Sequence, residues 1–386
     1  MIADYTEDFC DLCGDSGTAV LMEGISSRSM TSDSRVVDHR LLKRECSRCG
    51  LARDGNARTA MALANMYRED YSLNVYQSEY CFFTDDGPVP RSQVFFQWIR
   101  RVLGEANHQP LKKILEVGCG SGDLMKRISE AFPHATCIGV EMSERASSEG
   151  GKRGLRIIQG DFNAAPEEKF DFIYAVGVLE HVPSPSKLLT AIRDRLAPSG
   201  VLILSQPVQD VIGYDIFFAD HLHHFASGHL SMYAKKLGFF EEIKVIGHPM
   251  MPNFSLHLWK KSFPERDLNV LKIKTKCRES VRIYIDFFHR VNRLVEEVQA
   301  DSKRKLSVFG LNEVFALLMA NTKLWKAEIA CGLSDIETHG PIDFPVVKPE
   351  RVLEFSVTDV LMCVNRVYEK QVRQRLTPMG VKVHAF

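Results

Sequence analysis

The densest group of side chains that could do chemistry is a run of histidines beside an acid. Asp220-His221-Leu222-His223-His224-Phe225 places three histidines within four residues. Histidine titrates near neutral pH and suits proton transfer, and a neighbouring carboxylate can orient the ring and stabilise its cation. We expect His221, with Asp220, to be the first acid–base candidate and His224 the second. Two alternatives stay open. One is a metal site, although the spacing of the histidines matches no common zinc pattern. The other is a loop in which the histidines only pack or cap.

Four cysteines near the N-terminus form a second group. Cys10-x-x-Cys13-Gly and Cys46-x-x-Cys49-Gly each read as a knuckle, in which a tight turn aims two sulfurs at one cation. Two knuckles predict a tetrahedral four-sulfur zinc site, and its role is structural because no coordination position stays open. Two redox-active or unliganded cysteine pairs are the alternative. The gap between the knuckles predicts a small β insertion, with strands near 20–22 and 36–42.

A glycine-rich turn forms the third pattern. Glu116-Val-Gly-Cys-Gly-Ser-Gly-Asp123 stands between an apolar segment and one with helical spacing. Its glycines let the backbone turn sharply and approach a ligand, and the helix that follows presents free N–H groups to that ligand. Asp123 stands where a dinucleotide fingerprint needs its third glycine, so the turn differs from the NAD pattern.

Acidic residues follow the strands near this turn. Glu141 lies about twenty residues past the glycines, where a carboxylate can accept from both hydroxyls of a ribose. Asp161 can accept from an adenine amine, and Met142 and Phe162 can flank the ring. Glu116 ends the first strand and can pair with a cationic amine. A carboxylate after the second strand is shared with dinucleotide enzymes, so Glu141 alone does not identify the ligand.

Alternating strands and helices must hold these groups in place. We predict strands at 111–115, 136–140, 155–158, 170–176 and 201–205, with helices between them. This alternation indicates a parallel, doubly wound α/β sheet, which binds ligands at the carboxyl ends of its strands. Residues 59–103 are predicted to be mainly helical, either as packing over the sheet or as a lid that brings a tyrosine hydroxyl to the reacting centre.

The composition narrows the class of partner. The 386 residues include 49 basic and 49 acidic side chains, so no general attraction to nucleic acid or to an anionic membrane follows. No apolar run approaches the roughly 18–20 residues of a membrane span. The acidic start of the chain lacks the basic-then-apolar pattern of a signal peptide. We therefore expect a cytoplasmic protein that acts on a small molecule.

The motifs resemble those of class I S-adenosylmethionine (SAM) methyltransferases over roughly 110 to 260. The resemblance rests on the glycine turn, Gly139-Val-Glu141, Gly160-Asp161 and the segment from Phe170 to Pro183. It implies a Rossmann-like sheet ending in an antiparallel hairpin at 241–246 and 255–260, with SAM in the crevice. The implied cofactor site comprises Glu116, Gly118, Cys119, Gly120, Gly122, Glu141, Met142, Asp161, Phe162, Val176 and His181.

The order of parts resembles the zinc-containing sugar C-methyltransferases of bacterial deoxysugar pathways. These enzymes methylate a carbon next to a keto group on a nucleotide-linked sugar. The resemblance implies a zinc module at 1–58, a SAM domain with a helical lid at 59–265, and a C-terminal α/β, Rossmann-like domain at 266–386. Asp220-His221 matches the family's Glu-His pair with a shorter acid, and Tyr76 best matches its N-terminal tyrosine.

Some positions depart from that family. Phe218 stands in place of a second tyrosine before the pair, so O-methylation of a sugar or another small molecule stays open. A SAM-binding scaffold without catalysis is the alternative from another class. In the family the C-terminal domain helps hold the nucleotide sugar, and here Asn312 and His339 are its candidate contacts. The alternative is a domain that only packs.

Overall fold

The computed structural model describes residues 4–6, 8–70, 81–84, 87–106, 111–264, 269–338, 340–364 and 368–385. Two predicted site residues, Tyr76 and His339, lie outside the described residues.

The N-terminal part is a small antiparallel β unit that carries the four cysteines. Strand β1 pairs with β4 and β4 with β5, while β2 and β3 form a separate hairpin. The predicted strand at 36–42 is wrong in its extent, because 36–37 pairs with 29–30 and the next strand begins only at residue 42. The strands are β1 Thr18–Glu23, β2 Ser29–Met30, β3 Val36–Val37, β4 Leu42–Cys46 and β5 Ala52–Asp54.

The connection to the central domain is only partly helical. Helix α1 (Ala60–Asn65) continues as a π-helix over Met66–Asp70. The strands β6 (Cys81–Thr84) and β7 (Gly87–Pro90) then pair as a hairpin, where we had predicted mainly helix. Helix α2 (Arg91–Glu105) follows and buries one apolar face. The hairpin escaped prediction because two four-residue strands carry too little alternation to be recognised.

A seven-stranded sheet forms the central domain and confirms the predicted α/β architecture. Its strand order is β10-β9-β8-β11-β12-β15-β14, parallel throughout except for β15. Strand β11 has the predicted bounds, because its apolar run is buried on both faces of the sheet. The elements are β8 Lys113–Val117, α3 Asp123–Ala131, β9 Thr136–Glu141, α4 Glu144–Lys152, β10 Ile157–Gln159, β11 Phe170–Val176, α5 Pro185–Arg195, β12 Leu196–Pro207, β13 His223–His224, α6 Ser227–Leu237, β14 Phe239–His248 and β15 Met251–Lys261.

The strand order places the ligand crevice of the central sheet. The order reverses between β8 and β11. The helices α3 and α5 pack against opposite faces of these strands. Ligands of open α/β sheets bind at this reversal, beyond the carboxyl ends of the strands. The glycine turn follows β8 directly, so it lies at the edge of this crevice.

The short strand β13 joins the central domain to the N-terminal unit. It pairs antiparallel with β5, which sets His223 opposite Arg53 and His224 opposite Ala52. The N-terminal sheet therefore has the order β1-β4-β5-β13, and its fourth strand comes from the histidine run.

The C-terminal part is a second, five-stranded parallel sheet, of order β18-β17-β16-β19-β20. A long amphipathic helix leads into it and buries Phe288, Val291 and Val295 completely. The elements are α7 Cys277–Gln299, β16 Leu306–Phe309, α8 Glu313–Asn321, β17 Ile329–Leu333, β18 Val346–Val347, β19 Asp359–Met362, α9 Glu369–Leu376 and β20 Lys382–His384. None of the helices in the described ranges has the length and apolarity needed to cross a membrane.

Candidate active site

A cavity of about 1490 Å³ extends from the crevice of the central sheet to the carboxyl edge of the C-terminal sheet. Within the described part of the chain, Gly122, Asp220 and His224 do not reach its wall, whereas His221 does. The other predicted residues on the wall are Glu116, Gly118, Cys119, Gly120, Glu141, Met142, Asp161, Phe162, Val176, His181 and Asn312.

The glycine turn has space for a ligand at Gly120 but none at Gly118. All three of its glycines have positive φ. A Cβ on Gly118 would lie 2.6 Å from Cγ2 of Val178, so the turn packs tightly against the loop after β11. A Cβ on Gly120 would meet no atom within 4 Å, because this glycine faces the cavity. Gly122 lies behind the turn as the cap of α3.

Two buried carboxylates stand beside the turn. Glu141 accepts from the backbone N–H groups of Gly120 at 2.8 Å and Ser143 at 2.7 Å. Glu116 accepts from the Tyr174 hydroxyl at 2.9 Å. Burial raises the pKa of both carboxyls, and that of Glu116 rises well above its usual value. Such a carboxylate gains most from a cationic partner, because a positive charge offsets the cost of burying the anion.

The part of the crevice predicted to take the adenine ring is formed by residues that follow β9 and β10. Asp161 accepts from the backbone N–H of Asn163 at 2.8 Å and so caps a short 3-10 turn. Phe162 follows in that turn and is buried with one side on the cavity. Met142 lies on the wall as well, and the Gln159 side chain donates to its carbonyl.

Asp220 and His221 are neighbours in sequence but have different partners. Asp220 accepts from the backbone N–H of Ser32 at 2.8 Å and from its hydroxyl at 2.6 Å. The Asp220 carboxylate also lies 3.6 Å from Nδ1 of His181. It therefore connects the N-terminal hairpin to His181.

His221 faces the cavity and turns its other edge to Asp215. Its Nδ1 lies 3.9 Å from Oδ2 of Asp215, and its ring meets those of His181 and Phe218 edge-on. Burial alone would lower the pKa of His221. The contact with Asp215 and the nearby carboxylates outweigh burial, so this pKa is raised.

Asp215 itself was not singled out in the sequence. Its Oδ2 accepts from the side-chain amide of Gln209 at 2.6 Å and lies 3.5 Å from Nδ1 of His224. Burial and the nearby Lys43 lower the pKa of His224 to about 3, so this ring is neutral at physiological pH. His224 thus supports Asp215 from behind the cavity.

Two further residues missed as site residues converge on the histidines. Lys43 is completely buried, and its ammonium donates to the carbonyls of Phe218 at 2.9 Å and His221 at 2.8 Å. Burial lowers the pKa of Lys43 to about 8. From the π-helix, the Tyr67 hydroxyl lies 2.8 Å from Nδ1 of His181. A tyrosine of the 59–103 segment therefore does stand at the cavity.

The four cysteines form one cluster. The sulfurs of Cys10 and Cys49 are 3.5 Å apart, as are those of Cys13 and Cys46, and all four lie within 4.8 Å of one another. Four sulfurs around a tetrahedral zinc at its usual bond length would be about 3.8 Å apart. None of the four is in a disulfide. The cluster therefore has the donor set and the spacing that a four-sulfur zinc site needs.

The comparisons with known proteins concern mainly the central domain. A family model described as a methyltransferase domain matches residues 91–272. A malonyl-[acyl-carrier protein] O-methyltransferase of Halalkalibacterium halodurans is 26% identical over 213 residues, which are 53% of this chain and 72% of that protein. A trans-aconitate 2-methyltransferase of Deinococcus radiodurans is 29% identical, over 26% of this chain and 39% of that protein.

Residues 91–272 are a class I methyltransferase domain that uses SAM.

Among solved structures, an S-adenosylmethionine-dependent methyltransferase from Clostridium acetobutylicum has a TM-score of 0.37 and 16% identity, over 45% of this chain and 92% of that one. The segment that the family model matches does not include residues 1–90 and 273–386. The methyltransferase domain thus accounts for the cofactor crevice. The rest of the chain supplies the cysteine cluster, Lys43, Tyr67 and the C-terminal wall of the cavity.

The crevice of the methyltransferase domain fits SAM. Gly120 opens onto the cavity, where a side chain would occupy the space for the ligand. The two buried carboxylates, Glu116 and Glu141, suit an ammonium group and a pair of ribose hydroxyls. Phe162 offers an apolar surface for a ring.

Proposed function

We propose that this protein methylates a nucleotide-linked keto sugar, at a carbon next to the keto group. The observation that carries the proposal is the shared cavity. It connects the predicted SAM crevice to the carboxyl edge of a second parallel α/β sheet, and His221 lines it. A nucleotide sugar is long enough to need both regions, and a parallel sheet commonly binds a nucleotide at this edge.

The C-terminal part contributes polar groups to this wall. Arg290, Asn312, Ser334 and Arg375 line the cavity on its side. Asn312 also caps α8 by accepting from the backbone N–H groups of Val314 and Phe315, so its amide nitrogen is the group available to a ligand. These residues support binding of a phosphorylated, hydroxyl-rich molecule over an apolar one.

His221 is the proposed catalytic base. It removes the proton from the carbon, and the electron pair of the broken C–H bond stays on the substrate as an enolate. When bound, SAM supplies an electrophilic methyl group on a sulfonium. Glu116, Glu141, Asp161 and the glycine turn hold the cofactor, and Tyr67 and His181 line the space beside it. Tyr76 remains a predicted participant.

O-methyl transfer is the second candidate. The relative from Halalkalibacterium halodurans is named as an O-methyltransferase, and so are relatives from Actinobacillus pleuropneumoniae that act in ubiquinone biosynthesis. A histidine that takes a proton from carbon can also take one from a hydroxyl. The methylated atom of the product distinguishes the two reactions.

We also propose that Cys10, Cys13, Cys46 and Cys49 bind a structural zinc ion. The sulfur spacing and the donor set support this proposal. The knuckle is tied to the methyltransferase domain, because Asp11 accepts from Ser184, Ser186 and Tyr233. Zinc would thereby hold the N-terminal sheet in place beside the histidine run.

Transfer of labelled methyl from SAM to pools of nucleotide sugars tests the function. We expect the wild type to label a nucleotide-linked keto sugar and to be purified with S-adenosylhomocysteine from turnover. Labelling only of molecules without a sugar would contradict the acceptor. SAM binding without transfer to any pool would favour a scaffold.

A further inference from the structure

The sequence and the structure indicate different acidic residues as the partner of His221. Asp220 is adjacent to His221, but both its oxygens accept from Ser32, and it faces His181. A histidine base needs a carboxylate at the ring nitrogen opposite the substrate, because that contact sets the tautomer and stabilises the cation. The structure offers another carboxylate for this position.

Asp215 stands at the Nδ1 side of His221, 3.9 Å away. That nitrogen and Oδ1 of Asp215 are both buried without a hydrogen-bond partner among the described residues. Contacts of this kind in active sites tighten when the substrate binds. Asp215 itself is fixed, since its Oδ2 accepts from Gln209 and faces the neutral ring of His224.

We propose that Asp215 is the positioning residue for His221, held in register by Gln209 and His224. It keeps the neutral His221 ring protonated on Nδ1, which leaves Nε2 free to take the substrate proton. The proton then stays on Nε2 and the ring becomes a cation, which the Asp215 carboxylate stabilises without accepting the proton. This inference rests on the proposed role of His221 and assigns Asp215 a part that the adjacent Asp220 was expected to play.

Several charged or titratable groups face His221 and affect its protonation. Asp215 and Asp220 come from its own loop, and other elements contribute further groups. Those are Lys43 from β4, Glu180 and His181 from the turn after β11, His224 from β13 and Glu313 from α8. A change at Asp215 must therefore be compared with the same change at another member of this group.

Nitrogen-15 NMR of the full chain, labelled in histidine and saturated with S-adenosylhomocysteine, tests the proposal without any acceptor. The signal of His221 is the one lost in His221→Gln. In the wild type we expect neutral His221 to carry its proton on Nδ1. The Nε2–H tautomer would overturn the proposal, and this result needs no variant of Asp215 that folds.

The same Asp→Asn change at two positions then distinguishes a positioning role of Asp215 from a general effect of negative charge near His221. Asp215→Asn should lower the pKa of His221 and mix its tautomers, because the carboxylate that favours the cation is gone. Asp220→Asn should lower this pKa less and keep the Nδ1–H tautomer. An unchanged His221 in Asp215→Asn, or the larger effect in Asp220→Asn, would overturn the proposal.

Kinetics on the labelled acceptor pool add a second readout. Asp215→Asn should lose about 10²–10⁴-fold in kcat, the range that acid–base catalysis supplies, with KM and SAM affinity nearly unchanged. In a His221→Ala background the same change should cost nothing more. Additive losses would contradict a role through His221. If no sugar is methylated at all, the function fails while the NMR result still decides the role of Asp215.

Discussion

At the scale of single residues, the predicted cofactor crevice contains two carboxylates, Glu141 and Glu116, that differ in their hydrogen-bond partners. Glu141 is already matched to two backbone N–H groups, and it helps to fix the glycine turn. Glu116 has the Tyr174 hydroxyl and a pKa raised well above its usual value by burial. These contacts support our proposal that Glu141 accepts from neutral hydroxyls and that Glu116 pairs with a cation.

Glu141→Ala should reduce SAM affinity by about 100-fold or more, because two N–H groups and the ligand hydroxyls lose a charged acceptor. Isothermal calorimetry measures the change. Glu144→Ala, on the exposed start of α4, is the control and should bind SAM normally. Normal SAM binding by Glu141→Ala would remove this residue from the cofactor site.

SAM binding should release a proton from Glu116. The pKa of this carboxyl is raised in the free protein, and pairing with the ammonium group of SAM would lower it. Affinity should therefore rise as the pH rises through the raised pKa and weaken below it. Calorimetry in buffers of different ionisation enthalpy counts the proton, which Glu116→Gln should abolish. A binding enthalpy independent of the buffer in the wild type would contradict the pairing.

At the scale of elements, the N-terminal sheet determines where the histidine run lies. Strand β5 pairs with β13, and Lys43 on β4 holds the two carbonyls of the preceding loop. Ser32 adds two hydrogen bonds to Asp220. The N-terminal unit thereby supports the loop of the histidine run and also carries the four-cysteine cluster.

Lys43→Met should lower methyl transfer while leaving SAM affinity unchanged, since the loop loses two charge-assisted hydrogen bonds and Lys43 itself does not line the cavity. Hydrogen exchange should increase in residues 218–224. Stability should change less than activity, because removing a buried charge recovers desolvation energy. Lys126→Met, exposed on α3, is the matched control. Equal protection of the loop in Lys43→Met would count against this role.

The elements also show how far the sequence alone could lead. Apolar runs and the glycine turn were enough for the central sheet, and β11 has the predicted bounds. The pairing of β5 with β13 joins segments about 170 residues apart, for which periodicity gives no signal. Asp215 escaped notice because adjacency favoured Asp220, whereas the backbone turn between them sends the two carboxylates to different neighbours. The sequence contains one indication of Asp215, which is an acid six residues before His221 in the loop that follows a buried strand.

At the scale of the whole molecule, three parts of the chain enclose one cavity. Tyr214 of the methyltransferase domain donates to Glu313 on α8 at 2.6 Å. Arg28 of the N-terminal unit donates to the Met319 carbonyl and stacks over Trp325. Each contact crosses between parts, so changes in the N-terminal unit are expected to reach the reacting centre.

Zinc removal should therefore impair catalysis at a distance. Cys10→Ser combined with Cys49→Ser should lose the metal, lower solubility and lose methyl transfer, because β5 no longer supports β13. Atomic emission on the purified protein measures the zinc. Cys137→Ser, outside the cluster, should keep its metal. A wild type without zinc would refute the assignment.

The central claim is that His221 removes a proton from a sugar carbon so that this carbon receives the methyl group of SAM. Carbon-13 NMR of the product formed with methyl-labelled SAM and nucleotide-linked keto sugars tests it most directly, with wild type and His221→Ala compared at saturating SAM. We predict a carbon-bound methyl signal on the sugar for the wild type and none for His221→Ala, which still binds SAM. An oxygen-bound methyl, or equal transfer by the variant, would contradict the account.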